Sequence, residues 1–286
     1  MRSVFLPQKL EELWPRLEDP STSLYAGGTD LLVRLREGTV KDGNLVCLER
    51  LAELKEVEDL GDAVRIGAVC THTQLLADPL VGRHFPILIQ ALRVLGSPPI
   101  RHQGTIGGNI GTASPAGDTL GPLYALRAEV ELRTRETARH LPIRDFIQGP
   151  GRTVLKSGEI ITGVRMAKCP AFNIHHYEKV GQRRAMAIAV AGLAVLMRVG
   201  GDQTIEEVRL AWGSVGPTVV TSAPVEAVLR GRPLSREVLR EAADVARQAV
   251  APIDDLRASA DYRREVAGNL LRRLQLYSPS AIRKTG

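Results

Sequence analysis

The chain has 286 residues, more than one core usually supports, so its length predicts two domains, or one domain with a well-separated appendix. Its 44% hydrophobic and 24% charged residues are those of a soluble globular protein, and its longest apolar run, Ala185 to Met197, falls short of the roughly 18 residues of a membrane span; with no secretory signal read at the start, a cytoplasmic protein is expected. The net charge of +6 suits an anionic ligand, while 4% aromatic residues are too few for a base-stacking surface, which argues against nucleic-acid binding.

Along the first half, short strands and helices alternate. Ser23 to Ala26 reads as a strand entering Gly27 and Gly28, and Asp30 to Glu37 as a short helix capped by Thr29 or Asp30. Val64, Ile66 and Ala68 alternate as in a strand, as do Val130 and Leu132. Between them Ile87, Leu88, Ala91, Leu92 and Leu95 recur at helical spacing, and Gly96 ends that helix. The texture changes between Ala167 and Phe172, where Pro170 interrupts the pattern. Beyond it, Ala185 to Val199 and Val208 to Val215 read as long strands. Ser235 then caps a helix with the stripe Val238, Leu239, Ala242, Val245, Ala246 and Ala249, stopped by Pro252. A last helix starts at Asp261 with Tyr262, Val266, Leu270, Leu271 and Leu274 on one face, and the tail from Ser278 to Gly286 is polar and frayed.

Two glycine-rich loops carry the chemistry: Ala26-Gly27-Gly28-Thr29-Asp30-Leu31 and Thr105-Ile106-Gly107-Gly108-Asn109. Paired glycines let backbone N–H groups approach a ligand, and the adjoining hydroxyl and amide groups donate to phosphate oxygens. A helix starting at Asp30 adds its N-terminal dipole. Neither loop is GxGxxG or a P-loop, so a Rossmann site and an NTPase are disfavoured; taken alone, Gly27-Gly28 reads equally well as a tight turn. The cysteines, Cys47, Cys70 and Cys169, are far apart, which argues against a disulfide framework, a zinc site or an iron–sulfur cluster built by this chain alone.

After the second loop comes Asn109-Ile110-Gly111-Thr112-Ala113-Ser114-Pro115-Ala116-Gly117-Asp118. With the AGGT-D-L loop and Val64-Arg65-Ile66-Gly67-Ala68 before it, this ordered series resembles the flavin-binding medium subunits of the molybdenum hydroxylases, the xanthine dehydrogenase and carbon monoxide dehydrogenase family. Ser157-Gly158-Glu159-Ile160-Ile161 and Tyr177-Glu178-Lys179-Val180-Gly181-Gln182-Arg183 are similar to further segments of that family, so the resemblance spans nearly the whole chain. It implies an α+β fold: a vanillyl-alcohol-oxidase-type (PCMH) FAD-binding domain over 1–170, with subdomains of about 1–56 and 57–170. A CO dehydrogenase flavoprotein C-terminal-like domain, an antiparallel sheet with helices, follows over 171–277, and 278–286 is tail.

By the same resemblance FAD is the cofactor, and it is expected to be bound non-covalently, because the loops offer backbone donors and no residue stands out as a covalent attachment point. Ala26, Gly27, Gly28, Thr29, Asp30 and Leu31, with Thr105, Ile106, Gly107, Gly108 and Asn109, cradle its pyrophosphate. Thr112, Ser114 and Asp118 reach its polar atoms, Ile161 packs on the flavin, and Lys179 sits near the pyrimidine end. The chain is then an oxidoreductase subunit without catalytic acid or base and without a metal of its own. A large molybdopterin-binding subunit hydroxylates the substrate, a small 2Fe-2S subunit relays electrons, and FAD delivers them to an external acceptor, NAD being one candidate. Asn109 runs to Asp118 without a cysteine, unlike the 4-hydroxybenzoyl-CoA reductase type, so no extra cluster is expected. Ala185 and Met186 follow Arg183 and Arg184 where mammalian xanthine dehydrogenase has acidic residues, which leaves NAD open. A self-contained flavin oxidoreductase of the same fold and a non-catalytic nucleotide-binding module are the alternatives.

Several residues have a plainer reading. Asp118 doubles as a helix cap, and Lys179 beside Glu178 as a solvated ion pair. His72 and His102 read as structural hydrogen-bonders. His175 and His176, on opposite strand faces, make a poor proton relay. Arg263, Arg264, Arg272 and Arg273 read as a solvated or inter-subunit face.

Overall fold

Three short strands, β1 (Val4–Phe5), β2 (Ser23–Tyr25) and β3 (Leu45–Cys47), form a parallel sheet in the order β1-β3-β2. Parallel neighbours need crossovers, supplied here by the helix Leu10–Leu13 and by the helix Leu31–Arg36. Residues 3–39, 43–183 and 186–278 are described by this computed structural model. The expected frayed tail therefore lies outside the described residues except for Ser278.

An antiparallel sheet follows, built from β4 (Val57–Asp59), β5 (Ala63–Gly67), β6 (Glu129–Arg133), β7 (Ala138–Pro142) and, after the small hairpin β8 (Ile147–Gly149) and β9 (Arg152–Thr153), the central β10 (Ile160–Ala167); its order is β4-β5-β10-β6-β7. Alternation decides the faces. Val64, Ile66, Val130 and Leu132 are buried on one side, and on the other Arg65 donates to Glu131 and Glu58, each at 2.7 Å. Leu10, Leu13, Trp14, Val46, Leu51, Leu54, Val69 and Ile160 form a core that ties the first sheet to the loops beside it.

The C-terminal sheet is antiparallel, β11 (Ile174–Gly181), β12 (Ala189–Val199) and β13 (Ile205–Gly213). β12 is buried at nine successive positions because both of its faces are covered. Leu193, Val195 and Met197 pack into the core made with the helices Arg236–Ala249 and Ala260–Arg273, while Gly121 of the helix Leu120–Ala125 lies over Ala194 on the other face. By packing, the chain divides into one unit of Met1–Arg83, Gly96–Ala113 and Arg127–Lys168, and a second of His84–Leu95, Ser114–Leu126 and Cys169–Gly286.

Most predicted elements are present, with shifted ends. β12 starts at Ala189 rather than Ala185, and Ser235 caps its helix by accepting from the Val238 N–H. The last helix begins after Ser259, not at Asp261, because the Ser259 hydroxyl takes the Tyr262 N–H. Tyr262, expected on the buried face, is half exposed, and Arg263, one turn before the buried Ala267, points inward. Arg263, expected on a solvated face, is 2% exposed: its guanidinium donates to the carbonyls of Val190 (2.9 Å) and Ser214 (3.0 Å) and to Asp255 (2.6 Å). A delocalised cation with several donors is tolerated there because carbonyls and a carboxylate meet it. Arg264, Arg272 and Arg273 stay on the outer side, Arg264 on Asp261 and Arg273 on Glu178.

Candidate functional site

Leaving β2, the chain turns at Ala26, whose carbonyl accepts from the Cys47 thiol at 3.6 Å. A Cβ on Gly27 would sit 1.6 Å from the Gln103 carbonyl oxygen, so the first loop lies directly on the segment that leads into the second and admits only glycine. Gly28 has φ +70°, the left-handed region, and the helix Leu31–Arg36 follows with Asp30 in the cap position but no side-chain cap bond. Among the described residues no protein acceptor engages the N–H groups of Gly27, Gly28, Thr29 and Asp30.

The second loop is fixed by pairing and capping. Thr71 and Thr105 form an isolated bridge, and Thr105 caps the helix Ile106–Thr112, its hydroxyl accepting from the Gly108 N–H at 3.1 Å. Gly107 donates to the Ala68 carbonyl at 2.8 Å, and a Cβ there would lie 2.6 Å from the Ala68 side chain. At Gly108 only the Thr105 hydroxyl would be near, at 2.9 Å. The helix ends at Ala113, which adopts the left-handed conformation.

Both loops open onto one cavity of about 420 Å³ in the first unit. Its wall contains Ala26, Gly27, Gly28, Thr29, Asp30 and Leu31 from the first loop, Thr105, Gly107, Gly108 and Asn109 from the second, and beyond them Thr112 and Ile161. Ile106 is buried and does not line it. Ile161 stands at the start of β10 opposite Gly111, whose Cβ would lie 3.4 Å from the isoleucine Cδ1. Sequence reasoning overlooked Leu24, Val69 and Leu155, which give the wall its apolar stretch, and Arg34, which faces Asp30 at 3.7 Å. Their spacing carries no motif; burial alone assembles them. The capping box Thr71…Gln74 was legible as a T-x-x-Q signature, and it sets His72 in the wall.

This donor set fits an extended dinucleotide: glycine-rich backbone whose N–H groups await an anion, paired formal charges, and an apolar stretch around Ile161 that suits a flat ring. FAD is such a molecule, and the residues present could hold it.

Ser114, Asp118 and Lys179 belong to the second unit. On β11, the Lys179 side chain is only 7% exposed and donates to Asp118 Oδ2 at 2.7 Å and to the Val94 carbonyl at 2.9 Å, while the Tyr177 hydroxyl donates to Asp118 Oδ1 at 3.2 Å. Burial raises the Asp118 pKa above the ordinary carboxylate value, and Lys179 and then Tyr177 oppose that rise. The solvated Glu178–Lys179 pair is thereby corrected. Neighbours on a strand face opposite ways, and Glu178 pairs instead with Arg273 at 2.7 Å and with His176 at 3.5 Å. His175 and His176 are likewise separate: one ring meets the Phe172 carbonyl, the other the Tyr277 hydroxyl. Of the Arg183–Met186 stretch, Arg184 and Ala185 lie outside the described residues.

Residues 1–168 match the family model for the FAD binding domain in molybdopterin dehydrogenase, and residues 176–277 match that for the CO dehydrogenase flavoprotein C-terminal domain. The carbon monoxide dehydrogenase medium chain of Hydrogenophaga pseudoflava is 31% identical over 250 residues, 87% of this chain and 86% of its own. The xanthine dehydrogenase FAD-binding subunit of Escherichia coli O157:H7 is 32% identical over 249 residues, 86% and 85% of the two chains. A solved carbon monoxide dehydrogenase from Hydrogenophaga pseudoflava, lacking the Mo-pyranopterin moiety of its molybdenum cofactor, superposes with a TM-score of 0.90 at 30% identity, covering 95% of each chain.

Proposed function

The chain belongs to the FAD-binding family of the molybdopterin dehydrogenases, and from that premise we propose that it is the FAD-carrying subunit of a molybdenum hydroxylase, passing electrons rather than attacking the organic substrate. The observation that carries this reading is the cavity onto which the two glycine loops open, with the unengaged N–H groups of Gly27 to Asp30 and its apolar stretch at Ile161. When bound, FAD supplies the redox chemistry, accepting electrons from iron–sulfur clusters of a partner and handing them to an external acceptor.

The protein's own residues bind and orient the cofactor. Ala26 to Leu31 hold the pyrophosphate through the backbone N–H groups of Gly27 to Asp30; Thr105 to Asn109, whose N–H groups from Ile106 onward are engaged within the protein, serve it through the Thr105 hydroxyl, the Asn109 side chain and the close approach that Gly108 allows, and Ile161 supports the flavin. In the same reading Thr112, Ser114 and Asp118 serve polar atoms of the cofactor and Lys179 its pyrimidine end. The division into 1–170, 171–277 and a tail belongs to the same reading, supported by family matches over 1–168 and 176–277. A large molybdopterin-binding subunit and a small 2Fe-2S subunit complete the complex, with NAD as a candidate acceptor. No described helix is long and apolar enough to cross a membrane. A cytoplasmic location belongs to the reading too, supported by three free cysteines.

The test is purification of the full chain, alone and from its native host. Alone it is expected to bind FAD stoichiometrically, to release all of it on denaturation and to hydroxylate nothing. From the host it is expected to copurify with a molybdenum-bearing chain and an iron–sulfur chain. A chain that stays colourless in excess FAD, or that hydroxylates a substrate free of partners, overturns the proposal.

A further inference from the structure

The wall of the cavity holds a titratable side chain that the two glycine loops do not account for. His72 is 3% exposed, and its backbone N–H donates to the Gly104 carbonyl at 2.9 Å. A Cβ on Gly104 would lie 3.0 Å from the His72 ring carbon Cδ2 and 3.2 Å from Nε2, so this edge of the ring lies against the residue before Thr105. The first loop meets the same place, since Gly27 abuts the carbonyl of Gln103. Both loops and the imidazole therefore converge on one part of the wall.

The ring's hydrogen bonding is incomplete. Nδ1 is buried without a partner, and among the described residues Nε2 has no protein partner either. Burial, with the charge of Arg101 second, pushes the His72 pKa down to about 4, so the ring is neutral at physiological pH and carries one proton. Placed on Nδ1, that proton would be a buried donor with no acceptor, a rarer and costlier arrangement than an unsatisfied acceptor. The tautomer is then Nε2–H, with its donor on the edge beside Gly104, in a residue that lines the cavity.

Resting on the FAD reading, we propose that His72 is a cofactor-binding residue whose neutral imidazole donates its Nε2–H to a phosphate oxygen of the bound dinucleotide. Phosphate is favoured over the flavin ring because His72 sits where the glycine loops meet. A phosphate oxygen supplies the acceptor the ring lacks, and a bond to a charged acceptor is stronger than one between neutral groups.

The experiment uses the full chain stripped of flavin and titrated with FAD, ADP and riboflavin. His72→Leu is expected to weaken FAD and ADP about tenfold and to leave riboflavin unchanged. His72→Gln, which keeps an N–H donor at similar reach, is expected to restore most of the loss. On wild type, ¹⁵N-labelled histidine spectra are expected to show the Nε2–H tautomer for His72, with that nitrogen shifting on addition of FAD or ADP and not of riboflavin. These spectra decide the matter even if His72→Leu does not fold. Binding of FAD by His72→Leu as tightly as by wild type, an Nδ1–H tautomer, or a His72 signal unmoved by saturating FAD overturns the proposal and leaves the FAD subunit intact. Failure of wild type to bind FAD overturns both.

Discussion

His72 also sets a pH dependence. Its folded pKa of about 4 lies below the ordinary 6.5, so between these values the unfolded chain binds more protons and stability rises with pH. The contribution is whole above about 6.5 and is lost as pH falls toward 4, amounting to roughly 3 kcal/mol for a shift of about 2.5 units. Denaturant titrations of the FAD-free chain from pH 7 to pH 4.5 are expected to show a steeper loss in wild type than in His72→Gln; equal slopes would leave His72 untitrated. Lys179 makes a different case. Its charge is met by Asp118 at 2.7 Å with both side chains buried, so Lys179→Met strands a buried carboxylate. Breaking such a pair costs about 3 kcal/mol or more at neutral pH. Adding Asp118→Asn is expected to recover much of it, since a neutral amide needs no counter-ion. The pair joins residues far apart in sequence, and for that reason the adjacent Glu178 looked like the natural partner.

Among the elements, periodicity was a reliable guide wherever one face is buried, as in the helix Arg236–Ala249 and the strands β5 and β6. It failed at the edge of a face. Tyr262 lies one turn before Val266 and Arg263 one turn before the fully buried Ala267, and the arginine takes the inner position because two carbonyls and Asp255 meet its guanidinium. The contact between the helices Arg236–Ala249 and Ala260–Arg273 was also invisible beforehand. A Cβ on Gly268 would lie 2.8 Å from the Ala243 carbonyl oxygen, so the two backbones approach at a glycine. Helix propensity favours Gly268→Ala by about 1 kcal/mol, but overpacking against a fixed carbonyl costs about 1 to 3 kcal/mol. Packing wins, and Gly268→Ala is expected to lower the melting temperature. A rise would mean that the helices separate freely.

For the molecule as a whole, cofactor binding and folding are linked: FAD at 100 times its dissociation constant stabilises the folded chain by about 2.7 kcal/mol. The glycines of the second loop separate the two effects. Gly107→Ala collides with Ala68 and is expected to lower stability with or without FAD, whereas Gly108→Val, whose Cβ would have only the Thr105 hydroxyl close by, is expected to fold yet lose the FAD-induced rise in melting temperature. Equal FAD-induced shifts in Gly108→Val and wild type would remove this loop from the site. The sequence by itself determined the loops, their order and the family they resemble, because glycine pairs and their flanking hydroxyls are local requirements of backbone geometry. Tertiary structure alone decided which other residues wall the cavity, that Lys179 is neutralised by Asp118, that Arg263 is buried, and that His84–Leu95 and Ser114–Leu126 pack with the C-terminal sheet. Each of these depends on chain segments tens of residues apart meeting in a desolvated interior, where charge and hydrogen-bond partners are fixed by proximity and not by sequence spacing.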